Sequence, residues 1–190
     1  MIRKTSFILR LSVLWLFLLI CLPVFAFANN ISLEHRIKAA FLYKFCHYVT
    51  WPDEAFNGAN NLNKPIEIGV VGVDDIAQEL QRITRGRDVG GRALSVHAYT
   101  PETVPEKLHL LFIGRSTVRN NPDWLTRFKS KPVLLVTDIP NGLDIGSGIN
   151  FLIDGERVRF DISLTTIKAH QLQVGSQLLS VARQIRGGEE

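Results

Sequence analysis

Between positions 33 and 48 apolar residues recur at intervals of three and four. Leu33, Ile37, Ala40, Phe41, Phe45 and Tyr48 form one stripe, and Glu34, Lys38 and Lys44 fall largely outside it. The spacing predicts an amphipathic helix with Ser32 as N-cap and Pro52 as stop. An Asn- and Gly-rich loop over 57–64 separates it from a strand over Ile66–Val71. Asp74 then caps a second helix carrying Ile76, Ala77, Leu80 and Ile83, which ends at Gly86. Val89-Gly90-Gly91-Arg92 turns into a strand over 93–97. The near-continuous apolar runs 108–113 and 133–136 read as buried strands, with a short helix over 123–128 between them. Strands alternating with short helices predict an α/β layer with a mostly parallel part.

After position 148 the pattern changes to strict alternation. Counting outward from a two-residue turn at Asp154-Gly155 puts Ile149, Phe151, Val158 and Phe160 on one face of a hairpin, and Asn150, Arg159 and Asp161 on the other. Ser163 caps a helix through His170, and a last helix is predicted from Ser176 to Ile185, before a fraying Gly187–Glu190 end. The expected fold is α/β: a single-layer mixed sheet of about six strands flanked by helices, with a C-terminal antiparallel hairpin followed by helices.

The first 28 residues have a different logic. Arg3 and Lys4 precede an apolar stretch from Leu11 to Leu22, Pro23 breaks it, and Ala26-Phe27-Ala28 supplies small residues for cleavage before Asn29. Residues 1–28 therefore read as a cleaved secretory signal and 29–190 as one domain. A membrane anchor is the alternative, but about 12 apolar residues fall short of the roughly 20 that a spanning helix needs. Cys21 follows Leu19 and Ile20, where lipoprotein processing favours small residues, so it leaves with the signal. Losing Arg3, Lys4 and Arg10 reduces 22 basic residues to 19 against 18 acidic ones, which removes the electrostatic case for nucleic acid. Cys46 then remains as the lone thiol. It is either a buried inert group or, in an oxidising compartment, a link between two protomers of a homodimer.

Six stretches in order resemble the YfiR-like family of small periplasmic regulators. They are Lys38-Ala39-Ala40-Phe41-Leu42-Tyr43-Lys44-Phe45 with Trp51-Pro52, Val89–Leu94, Leu111–Ser116, Val133–Asp138, Gly148–Phe151 through Val158–Ile162, and Ser176–Ala182. Each string is short, and the specificity lies in their collinearity over about 150 residues. The resemblance implies a periplasmic repressor of a membrane-bound diguanylate cyclase, acting on cyclic di-GMP and biofilm formation through the cyclase's periplasmic region. An outer-membrane lipoprotein that relieves repression is a further implied partner. Some relatives carry several cysteines; with only Cys46 here, a disulfide switch within one chain is excluded.

Four residues stand out as partner- or ligand-binding candidates. Gly114-Arg115-Ser116 follows a buried strand, where backbone amides and the Arg115 guanidinium suit an anion; a turn with a solvated arginine is the alternative. Arg159 and Asp161 share a strand face with Asn150 across the hairpin. They form either a contact cluster or a solvated face with an ion pair worth under about 1 kcal/mol. His35 and His47 are about 18 Å apart along a helix, too far for one metal ion, and His97, His109 and His170 lack ligand spacing. Trp51 and Trp124 mark either a partner surface or packing. No G-x-S-x-G, H-E-x-x-H or C-x-x-C occurs. Asp138, Ser116 and His109 make a hydrolase trio only if the fold unites them. No catalytic, cofactor-binding or metal-binding residue is predicted, and a small-molecule sensing module unrelated to a cyclase is the competing reading.

Overall fold

The computed structural model describes residues 31–56, 63–120 and 122–188. The signal segment 1–28, most of the predicted loop 57–64 and the Trp124 side chain lie outside the described residues. Helix α1 spans Leu33–Tyr48, and the Ser32 hydroxyl accepts the His35 N–H at 3.1 Å as its cap. It stops before Pro52, because Val49–Thr50 (β1) turn extended and pair antiparallel with Gln173–Val174 (β9). Its buried face is rotated from the predicted stripe. Lys38, Ala39, Leu42, Phe45 and Cys46 are buried, whereas Leu33 is 70 % exposed.

The main sheet has eight strands rather than about six. Strand β2 (Ile66–Val71) lies between β4 (Arg92–Tyr99) and β5 (Leu110–Ile113), and β6 (Leu134–Thr137) and β7 (Ile149–Asp154) extend it, all five parallel. The short β3 (Asp88–Val89) closes one edge through the Gly90-Gly91 turn, in which both glycines take positive φ. Apolar runs in β5 and β6 are continuous because both faces are covered. Leu110, Phe112, Leu134 and Val136 join the core under α1, while Leu111, Ile113 and Leu135 join a second core with Leu108, Leu125 and Phe128. Helix α2 (Asp74–Thr84) follows β2; Val73, not Asp74, occupies its cap position, and Asp74 sits in the first turn.

Strand β8 (Arg157–Ser163) pairs antiparallel with β7. The turn is Gly155-Glu156, one residue beyond the predicted one, so partners shift by two and the faces stay as expected. Phe151 pairs with Phe160, and both rings pack on Phe45 of α1 at 5.7 and 5.1 Å between centroids. Ser163 caps α4 (Leu164–Ala169) by accepting from the Thr166 N–H. The last helix, α5 (Ser176–Val181), ends four residues before the predicted Ile185. Gln184–Arg186 instead form β10, parallel to β8, after the Arg183 N–H bonds the Phe160 carbonyl.

Candidate functional site

The carboxyl ends of β6 and β7 open onto a pocket of about 350 Å³, the edge of an α/β sheet where ligands commonly sit. Arg115, Asp138, Asn150, Asp161, Arg183 and Arg186 supply its polar wall, and Ile139, Leu143, Leu152 and Ile153 contribute apolar surface. Three of the four sequence-predicted residues thus meet: Arg115 at the start of α3 (Arg115–Asn120), Asn150 on β7 and Asp161 on β8.

Neither Asn150 nor Asp161 is on a solvated face; both are more than nine-tenths buried. Asn150 Oδ1 accepts the Thr137 hydroxyl at 2.7 Å and the Ile139 N–H at 3.2 Å, and its Nδ2 donates to the Ile139 carbonyl at 2.9 Å. This clamps the loop after β6 onto β7. Gly142 is required beneath the clamp, since a Cβ there would run into Asn150 Oδ1 and Thr137 Oγ1. Asp161 takes Arg183 Nε at 2.8 Å and its Nη2 in a bidentate pair, which raises the Arg183 pKa. Arg186 donates to Asp144 at 2.6 Å.

Arg115 is exposed, and its Nε and Nη2 share one acceptor, the Asp138 carbonyl, at 3.3 Å each. The Asp138 carboxylate is held from behind by Lys38, whose Nζ lies 2.8 Å from Oδ2 while also binding Glu34. Lys38 is 2 % exposed, and its hydrogen bond holds the Glu34 carboxyl below the ordinary range. Asp138 Oδ1 is buried without a donor among the described residues.

Arg159 goes elsewhere. It borders a groove of about 540 Å³ between α1, β8 and α5, with Ile37, Phe41, Tyr48, Val158, Phe160 and Val181 as its apolar lining. Lys44 and Arg157 stand on the same rim, and Arg159 Nε is buried with no partner among the described residues.

The conceivable trio is not assembled. His109 precedes β5, whereas Ser116 and Asp138 follow β5 and β6, so the length of β5, about 13 Å, separates His109 from the other two. His109 is a structural group. Its Nδ1 accepts the Glu67 N–H at 2.9 Å, its ring stacks on Phe56 at 4.3 Å, and burial lowers its pKa to about 4. Trp51 packs in the core and donates to the His109 carbonyl at 2.7 Å. Cys46 is 1 % exposed, and burial raises its pKa to about 12. Among the described residues no group of three or more His, Cys, Asp and Glu could hold a metal ion, and no helix is long and apolar enough to cross a membrane.

Sequence pattern alone does not single out Lys38, Arg183 or Arg186, and it offers Asp138 only as a member of the trio. The available signal was the position of Asp138 directly after an apolar strand, at the carboxyl end where sheet ligands bind. Arg183 was hidden inside a predicted helix.

A family model described as YfiR/HmsC-like (DUF4154) matches residues 35–183, from the first turn of α1 to the arginine that pairs with Asp161. No curated protein matches the chain in sequence. The chain belongs to the YfiR/HmsC-like family.

Proposed function

We propose that this member of the YfiR/HmsC-like family is exported to the periplasm after cleavage near Ala28 and there represses a membrane-bound diguanylate cyclase. It does so by binding the cyclase's periplasmic region, lowering cyclic di-GMP and biofilm formation. The observation that carries this reading is the family match over residues 35–183, which takes in α1, the hairpin and α5 together.

The groove between α1, β8 and α5 is the surface best suited to the receptor: an apolar floor rimmed by Lys44, Arg157 and Arg159, with the single carboxylate Glu156 beside them. Its occupant is an apolar segment flanked by carboxylates that face the three cations of the rim. Repression is a population shift. Binding the inactive receptor more tightly by about 2.7 kcal/mol changes the balance a hundredfold. An outer-membrane lipoprotein relieves repression by competing for this surface. A homodimer would have to form by non-covalent packing, because a Cys46 that is 1 % exposed is poorly placed for a disulfide between protomers.

The test is cellular cyclic di-GMP in a deletion strain, complemented with the full chain, with a chain lacking residues 2–28, or with Val181→Asp. Val181 is 54 % exposed, so the charge costs little stability. The nucleotide rises on deletion and falls only with the exported wild-type chain. An unchanged level while the cyclase is expressed overturns the reading and favours the competing one, a solute-sensing module built on the pocket at β6 and β7.

A further inference from the structure

The C-terminal half of α1 turns a face to solvent on which Ala40, Tyr43, Lys44 and His47 recur at three- and four-residue intervals, and the end of α2 lies beside it. Between them is a recess of about 440 Å³. Tyr43, Tyr48 and Ile83 give it an apolar floor, Lys44, His47 and Arg87 stand around it, and no carboxylate lines it among the described residues. The Arg87 guanidinium lies 5.5 Å from the centre of the Tyr43 ring, and the His47 ring packs at right angles to that ring at 4.8 Å. Arg85, also exposed, follows the last turn of α2.

The acidic groups of α2 are drawn away from this end. Asp74 and Asp75 sit in its first turn, with Asp75 3.4 Å from His35, and the buried Glu79 takes Arg82 through both oxygens at 2.8 and 2.7 Å. Asp88, beyond the helix, accepts the Gly91 N–H at 3.1 Å. Without its first 28 residues the chain is almost balanced in charge, so the excess of Lys44, Arg85 and Arg87 at one place is a local property of the fold. The lining also narrows the chemistry of the partner. Lysine and arginine are donors only and a helix spends its own carbonyls internally, so an extended peptide, which brings N–H groups of its own, finds few acceptors here. An anionic lipid brings phosphodiester acceptors instead. A layer of headgroups meets cations spread over two elements at once, and tyrosine rings suit the boundary between headgroup and acyl chain.

We propose that this face of α1 and α2 docks on an anionic lipid surface, with phosphodiester oxygens accepting from Lys44, Arg85 and Arg87 and the Tyr43 and Tyr48 rings at headgroup depth. Lys44 and Tyr48 also border the groove between α1, β8 and α5, so a chain seated in this way holds that groove beside the bilayer. The docking does not depend on a cyclase, and vesicles of lipid alone test it whether or not the chain is a repressor.

The probe is a vesicle of phosphatidylcholine, alone or mixed with phosphatidylglycerol. The readout is the fraction of protein, purified from cells expressing the full chain, that sediments with it. The protein is expected to sediment with the mixed vesicles and not with phosphatidylcholine alone, and to be released as salt is raised. Lys44→Gln and Arg87→Gln each remove one exposed charge and are expected to weaken binding about fivefold, and about twenty-five-fold together. Lys129→Gln, at an exposed lysine next to Phe128 in the core on the other side of the sheet, is expected to leave binding unchanged. The proposal is overturned if both kinds of vesicle bind alike or neither binds, if the double variant sediments as the wild type does, or if Lys129→Gln weakens binding as much as Lys44→Gln. It is also overturned if inorganic phosphate displaces the protein more than chloride of equal ionic strength, the mark of a site for a soluble anion.

Discussion

Lys38 shows why a residue's neighbours in sequence are a poor guide to its role. Read by periodicity it belongs to the solvated side of α1, yet it is 2 % exposed and tied to Glu34 one turn back and to Asp138 a hundred positions on. No spacing rule reveals a partner that distant. Lys38→Ala leaves the mostly buried Asp138 without its cation and is expected to cost about 3 kcal/mol in urea unfolding. His109 makes the complementary case, a titratable group kept neutral inside the fold. Its pKa is about 4 in the folded protein against 6.5 for the ordinary value, so protons favour the unfolded chain between these two. The contribution is complete above about pH 6.5 and falls as the pH drops toward 4, reaching a loss of about 2 kcal/mol by pH 5. His170, also shifted down by burial, acts in the same direction. Unfolding curves between pH 7 and 5 check this, and a flat profile would contradict the buried neutral imidazole.

At the scale of elements, legibility followed how much each element depends on itself. The central strands were readable as continuous apolar runs because both of their faces are covered, and the hairpin because one of its faces is apolar. The turn moved by one residue without disturbing the faces, since period two tolerates a shift of two in pairing. Strand β10 was not readable. Its three residues are all exposed, and what converts a helix-like segment into a strand is the Asp161–Arg183 pair and the bond from the Arg183 N–H to Phe160. Arg183→Ala is therefore expected to release β10 locally, with faster hydrogen exchange at Ile185 and Arg186 and little change at β5. The loop after β6 depends on one side chain in the same way. Asn150→Ala removes three hydrogen bonds and is expected to destabilise the protein by about 2–3 kcal/mol, with the exchange of Ile139 rising most.

Across the whole molecule, the central strands and the hairpin were legible one by one and their order was not, because β2 lies between β4 and β5 through connections that local pattern does not record. That order decides which candidates meet: it brings Arg115, Asn150 and Asp161 together at one edge, leaves His109 at the other, and sends Arg159 to a separate groove. The two candidate surfaces are built from different elements, so Arg115→Ala and Val181→Asp are expected to act additively on stability, within about 0.5 kcal/mol. The core that holds the sheet to α1 also encloses Cys46, whose thiol is 1 % exposed and ionises only near pH 12. An alkylating reagent in solution reaches that sulfur only when the core around α1 opens. The rate at which Cys46 is modified is thus a clock, written into the chain, that counts how often the core under α1 opens.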